Sequence, residues 1–308
     1  MKNGKGENSK KRKSRLTGAL IGLVVGDALG TTLEFKTRSS FTPLKSMAGG
    51  GPFNLKPGQW TDDTSMALCL AKSLVEDRFS LDGQLSKYLK WFKNGYMSST
   101  GKCFDIGKNT AKSLVEYEKT GVCPEEYEYA AGNGALMRLA PVPMYYRNDF
   151  EKAVLYSGKS SLATHNNILS IDSCRYFGGV LQQAIEGKDK ENVLFGKTGK
   201  LELHKKVKSV AVGSYTEKVS GEILSGGFVI DSLEASLWSF YHTENFEEAV
   251  LKAVNLGYDA DTTGAIAGQV AGAYYGVNNI PRKWINKLAK KKLIFDLVDK
   301  LHIKGGLN

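Results

Sequence analysis

The chain has 308 residues, 42% hydrophobic and 24% charged, with a formal net charge of +10. That is the composition of a globular domain able to bury a large core, and no run approaches the ~18 apolar residues of a membrane span, so no membrane partner is expected. Seven cations against the single anion Glu7 put +6 into the first 15 residues and leave only +4 for the rest, so the body of the chain lacks the basic balance of a nucleic-acid binder.

In chain order, residues 1–15 read as a basic, disordered tail and residues 16–303 as one domain. Leu16 to Leu29 reads as a helix. Its apolar stretch after a basic segment imitates a secretion signal, but Asp27 interrupts it and Gly18, Gly22, Gly26 and Gly30 form a regular row inside it. Thr37 to Trp60 is a long Gly/Pro-rich irregular stretch, a length more often functional than idle. Helical spacing follows over Ser65–Glu76, Leu81–Trp91, Ala135–Tyr145 (broken by Pro141 and Pro143) and Ile168–Ile185. A polar stretch runs from Gly187 to Ser225, within which Val207–Val212 could be extended. Asp231-Ser232-Leu233-Glu234 has the form of a capping box opening a helix to Tyr241. Phe246–Leu256, Thr262–Tyr275 and Trp284–His302 complete the helices, and a second glycine row, Gly264, Gly268, Gly272 and Gly276, lies along the second of these. No regular strand-helix alternation appears, so the expected fold is all-α and single-domain. The four cysteines lack a CxxC pair and the four histidines are scattered, which argues against zinc and for a reducing cytoplasm.

Glycine inside a helix costs about 1 kcal/mol relative to alanine. Two rows of four at i, i+4 spacing are explained by two helices in close backbone contact. Such packing would bring Glu34, just after the first row, beside the start of the second.

Two acidic clusters flank these helices. Thr61-Asp62-Asp63-Thr64 and Asp259-Ala260-Asp261-Thr262-Thr263 each stand where a polar loop gives way to a helical pattern. Taken singly, each is an ordinary helix cap with carboxylates complementing the positive helix end. Taken together they are four carboxylates and several hydroxyls, a ligand set suited to Mg²⁺ or Mn²⁺ and not to zinc. Adjacent aspartates diverge by about 100° around a helix and can reach different ions. A two-metal site follows if the fold unites the clusters.

These stretches resemble the ADP-ribosylglycohydrolase family. The likeness rests on Gly26-Asp27-Ala28-Leu29-Gly30 with Glu34, on Trp60 to Thr64, on Gly132-Asn133-Gly134-Ala135-Leu136-Met137-Arg138, and on Asn255 to Gly264, in that order over nearly the whole chain. The resemblance implies an orthogonally packed helical bundle with two Mg²⁺ (or Mn²⁺) ions held by Thr61, Asp62, Asp63, Asp259, Asp261 and Thr262. It implies a catalytic set of Glu34, Asp62 and Asp261, with Glu34 as acid/base. Asn133 and Gly134 would line the ADP-ribose cleft and His165 would sit beside the ribose or pyrophosphate. Tyr127 or Tyr129 is a candidate to stack adenine. Relatives often have a glycine or aspartate where this chain has Tyr258, so Tyr258 bears on specificity at the substrate mouth.

The expected reaction is hydrolysis of ADP-ribosyl protein, with arginine as the linked side chain, by a cytoplasmic monomer. The metals would fix the ribose and acidify a water, Glu34 would handle the proton, and the glycine-rich loop after it could act as a lid. The alternatives are a hydrolase of serine-linked or O-acetyl ADP-ribose, a non-catalytic ADP-ribose-binding member, and nucleic-acid binding through the tail.

Overall fold

The computed structural model describes residues 2–123 and 131–305; Tyr127 and Tyr129 lie outside them. The α-helices run in order: α1 (Lys2–Gly30), α2 (Asp62–Asp77), α3 (Leu81–Asn94), α4 (Lys108–Thr120), α5 (Pro141–Tyr145), α6 (Phe150–Ser161), α7 (Ile168–Glu186), α8 (Lys190–Phe195), α9 (Lys205–Ala211), α10 (Val229–Tyr241), α11 (Phe246–Val254), α12 (Ala260–Tyr275), α13 (Arg282–Ile285) and α14 (Lys291–Gly305). Among the described residues there are no strands, only two isolated bridges, Gly50 with Leu55 and Gly132 with Phe228. One continuous hydrophobic core joins these helices, so the all-α, single-domain expectation holds. No helix is long and apolar enough to cross a membrane among the described residues.

The centre of the fold is the antiparallel pair α1 and α12, and the two glycine rows are its seam. A Cβ added at Gly18, Gly22 or Gly26 would stand 2.0 Å from the carbonyl oxygen of Gly272, Gly268 or Gly264 respectively. At Gly30 it would stand 2.3 Å from the carbonyl oxygen of Ala260. These helices touch backbone to backbone along four turns, and any larger residue would part them. The seam runs directly to the acidic clusters: Asp27 is in the last turn of α1 and Asp261 in the first turn of α12.

Several local expectations are corrected. The basic segment, expected as a tail, is continuous with α1, which runs from Lys2. Lysine and arginine are good helix formers, and the far end finds partners: Arg12 bonds the Arg147 carbonyl and Glu186, and Lys13 pairs with Asp299 at 3.0 Å. Within Ala135–Tyr145 only Pro141–Tyr145 is α-helical, since the preceding segment is tied down by its own turns. Val207–Val212 is helical up to Ala211. The Asp231–Glu234 capping box is absent: α10 starts earlier, with Phe228 at the N-cap, and the Ser232 hydroxyl bonds the carbonyls of Gly226 and Phe228. The Thr37–Trp60 stretch is anchored along its length. Arg38 donates to the carbonyls of Leu256 and Ile223, Leu44 and Asn255 exchange two hydrogen bonds, and Lys287 reaches the Met47 carbonyl.

Candidate metal centre and cleft

Asp27 is the pin that sets the geometry. Fully buried, it accepts from the Thr61 amide (2.9 Å) and hydroxyl (3.0 Å) through one oxygen and from the Thr64 amide (3.0 Å) and hydroxyl (2.6 Å) through the other. The end of α1 thereby fixes the start of α2. Thr61 does not cap its own helix with its side chain, and neither does Asp259 at the start of α12. The ordinary capping role therefore does not account for these residues.

The Thr61 hydroxyl instead sits amid carboxylates: Asp27 at 3.0 Å, Asp63 at 2.9 Å and Asp261 at 3.2 Å. A hydroxyl has one proton to give. At most one of these oxygens can receive it, and the others face one another. Asp27, Asp63 and Asp261 offer oxygens all within 4.8 Å of one another, and Glu34, Asp105 and Asp261 form a second such group. Asp261 belongs to both. The second oxygen of Asp63 and one oxygen of Glu34 are buried without a hydrogen-bond partner. Buried polar atoms are nearly always satisfied, so these orphans fit a cation of the hard-oxygen class.

The electrostatics agree. Burial pushes Asp27 up to about 6 against the pull of its hydrogen bonds from Thr64 and Thr61. Burial and the charges of Asp259 and Asp27 push Asp105 up to about 7, and burial with Asp105 pushes Glu34 up to about 9. Asp62, Asp63 and Asp261 are driven well above the usual carboxylate range by burial and by one another. Six or more carboxylates sharing one buried volume either hold protons or hold cations. The N-terminal ends of α2 and α12 supply only partial positive charge.

The group opens on a cleft of about 810 Å³. Glu34, Asp62, Asp105, Asp259 and Asp261 line it, together with Gly132–Gly134, His165 and the start of α4 among others. Thr61, Asp63 and Asp261 thus meet directly as the sequence suggests, and Asp62 faces the same space. Asp259 is held one step aside: its Oδ2 accepts from Asn133 at 2.7 Å, and Asn133 also donates to Ser232 at 2.8 Å. Thr262 donates its amide to Asp261 at 2.8 Å and turns its hydroxyl toward the Met137 sulfur at 4.0 Å. Gly134 leaves room for the His165 ring, which a Cβ would approach to 2.6 Å. Tyr258 is 45% exposed at the cleft mouth beside Phe35, which is 68% exposed. Their backbones pair, Phe35 N to Tyr258 O at 2.7 Å and Tyr258 N to Lys36 O at 2.8 Å. Both have positive φ, 60° and 56°, an uncommon setting for aromatic residues.

Two residues of the centre carry no functional signal of their own in the sequence. Asp27 lies inside the Gly26–Gly30 stretch, which carries part of the family resemblance but gives Asp27 no task of its own. Asp105 lies in the loop between α3 and α4, with no partner motif; its φ of 60° is visible only in the fold.

Known proteins share this arrangement of chain. Residues 8–308 match the family model described as ADP-ribosylglycohydrolase. The chain is 42% identical to the ADP-ribosylarginine hydrolase Tri1 of Serratia proteamaculans, over 92% of this chain and 78% of that protein. It is 33% identical to the ADP-ribosyl-[dinitrogen reductase] glycohydrolase of Rhodospirillum rubrum, over 96% of this chain and 97% of that protein. A solved structure titled an ADP-ribosylglycohydrolase-related protein complex superposes with a TM-score of 0.86 at 36% identity, covering 96% of this chain and 99% of that chain. With its carboxylates gathered at the ends of a glycine-seamed helix pair, this chain belongs to the ADP-ribosylglycohydrolase family of hydrolases.

Proposed function

We propose that the protein removes ADP-ribose from modified arginine side chains of proteins, using a centre of two Mg²⁺ or Mn²⁺ ions. The observation that carries the metal is the Thr61 hydroxyl surrounded by three carboxylates with one proton among them. The arginine linkage is supported by the two relatives named ADP-ribosylarginine hydrolase, at 42% and 39% identity. Thr61, Asp62, Asp63, Asp259, Asp261 and Thr262 remain the proposed ligands, with Asp27 holding the Thr61–Thr64 segment in place. The bound ions would supply Lewis acidity toward ribose hydroxyls and water.

The chain's own residues do the rest. Glu34 stands outside the Thr61 group, with one oxygen free of hydrogen bonds, and is the proton-transfer residue. In its protonated form it gives its proton to the departing guanidine nitrogen as the bond to the anomeric carbon breaks. Water forms the new bond to that carbon, and its proton returns to a carboxylate of the Glu34–Asp105 pair. Asn133, Gly134 and His165 line the space for ADP-ribose, and Tyr258 narrows the mouth through which the modified side chain enters. The site is complete within one chain, which suits a monomer, and four free cysteines suit the cytoplasm.

The test is ADP-ribose release from arginine-modified and serine-modified protein, with and without EDTA. Release from arginine alone, abolished by EDTA and restored by Mg²⁺ or Mn²⁺, supports the proposal. Preferential release from serine selects the alternative substrate, and release unaffected by EDTA refutes the metal.

A further inference from the structure

Behind the cleft wall lies a buried cation with no anionic partner among the described residues. Arg138 is wholly buried, and its guanidinium donates to the Gly134 carbonyl (3.1 Å) and the Thr164 hydroxyl (2.8 Å). It also lies 3.8 Å from the Met66 sulfur and 4.6 Å above the Tyr88 ring, and Nε has no partner among the described residues. None of these groups is a carboxylate. An unpaired buried charge is unfavourable, so its place beside the cleft asks for a role beyond packing.

The Thr164 hydroxyl supplies the link. It lies 2.8 Å from Arg138 Nη2 and 2.8 Å from His165 Nδ1. A guanidinium can only donate, so one lone pair of the hydroxyl is taken by Arg138. The hydroxyl's single proton then has one acceptor among its partners, His165 Nδ1. Were Nδ1 protonated instead, that buried hydroxyl proton would have no acceptor. The ring proton must therefore sit on Nε2, at the edge lying against Gly132 and Gly134 in the cleft wall, where an added Cβ would come within 3.2 Å and 3.0 Å of Nε2. Burial and the nearby Arg138 charge also push His165 down to about 3, so the ring stays neutral. The backbone is fixed around it: the amides of Thr164 and His165 both donate to the Ser161 carbonyl, and the Ser161 hydroxyl donates to the His165 carbonyl.

We propose that Arg138 is a positioning residue that acts through Thr164 to fix His165 as the Nε2–H tautomer, a neutral donor aimed at an acceptor oxygen of ADP-ribose. The identity of the ligand rests on the function proposed above; the tautomer does not.

The test reads the ring directly. Nitrogen-15 spectra of the ligand-free protein, with His165 assigned by its loss in His165→Asn, should show one Nε2–H form with Nδ1 shifted as an acceptor. In Thr164→Val, close to isosteric, the Nδ1 signal should move to the position of an unbonded nitrogen and ADP-ribose binding should weaken roughly threefold to tenfold, the loss of one well-placed hydrogen bond. Thr164→Ser should restore both. Arg138→Met should admit the Nδ1–H form; if that variant does not fold, the Thr164 pair carries the test. A wild-type ring protonated on Nδ1, or a Thr164→Val variant with unchanged ring signals and affinity, overturns the proposal. Failure of the wild-type protein to bind ADP-ribose at all would count against the proposed function, while the spectra still decide the tautomer.

Discussion

Replacing Gly22 by alanine tests the seam on which the site is built. The new Cβ would stand 2.0 Å from the Gly268 carbonyl oxygen, where ordinary contact begins at 3.4 Å, so α1 and α12 must part locally by about 1.4 Å, the difference of the two. The obstacle is backbone, and no side chain can swing aside. Overpacking of this kind costs about 1–3 kcal/mol, and a contact this short belongs at the upper end. Alanine returns ~1 kcal/mol of helix propensity. The net loss is then ~2 kcal/mol, which at ~2.1 cal/mol/K of unfolding entropy per residue lowers Tm by roughly 3 °C in a chain of 308 residues. Activity should fall further than stability. Asp27 and Asp261 hang from the two helices at the end of the seam, and a displacement of ~1 Å in a catalytic group is worth as much as 10²-fold in rate. Melting followed by circular dichroism, beside ADP-ribose release by the same preparation, reads both quantities. Gly221→Ala is the control, because a Cβ there meets nothing within 4 Å. A Gly22→Ala protein that melts and turns over like the wild type would refute the account of the seam.

Three further outcomes follow from the site. Mg²⁺ or Mn²⁺ should raise Tm, by ~2.7 kcal/mol of stabilisation at a hundredfold excess over Kd, and Asp261→Ala should abolish that response; a thermal scan indifferent to both ions contradicts a metal centre. Glu34→Gln should lower single-turnover hydrolysis by ~10²–10⁴-fold with little change in ADP-ribose affinity by calorimetry, and a binding loss as large as the rate loss would remove Glu34 from its role. His165, held down to about 3 when folded against an ordinary value near 6.5, contributes stability that is full above pH 6.5 and is lost as pH falls toward 3, because only the unfolded chain takes up the proton there. Wild type should therefore lose about 1.4 kcal/mol per pH unit relative to His165→Asn in denaturant titrations between pH 6 and 4, and parallel profiles would show that the ring is not buried neutral.

What could be read in the sequence was whatever repeats or pairs locally. The glycine rows announced their own packing, because eight helix-weakening residues at one spacing are a pure cost unless a second backbone lies against them. The Thr61–Thr64 and Asp259–Thr263 clusters were visible as dense ligand sets, and the fold brings Thr61, Asp63 and Asp261 together as expected. Asp105 was not visible, since a lone aspartate in a loop carries no pattern and reaches the site only through the turn it occupies. The helical course of the basic segment was equally hidden: its partners Glu186 and Asp299 lie far along the chain, and composition alone reads such a stretch as disordered. Arg138 shows the same limit. Its burial, with no counter-charge among the described residues, is a property of the cleft wall and not of its neighbours in sequence.

The pairing of the first long helix with α12 also governs how the protein comes into being. Gly22 meets Gly268, so 246 residues separate the two sides of the seam. At synthesis rates of about 5–20 residues per second, α1 waits roughly 12–50 s after leaving the ribosome before its partner emerges. During that interval the glycine face of α1, which lies against α12 in the finished molecule, is left without its partner. The same geometry makes the acidic centre an all-or-none product of translation, because a ribosome that stalls before α12 releases a chain that lacks Asp259 and Asp261.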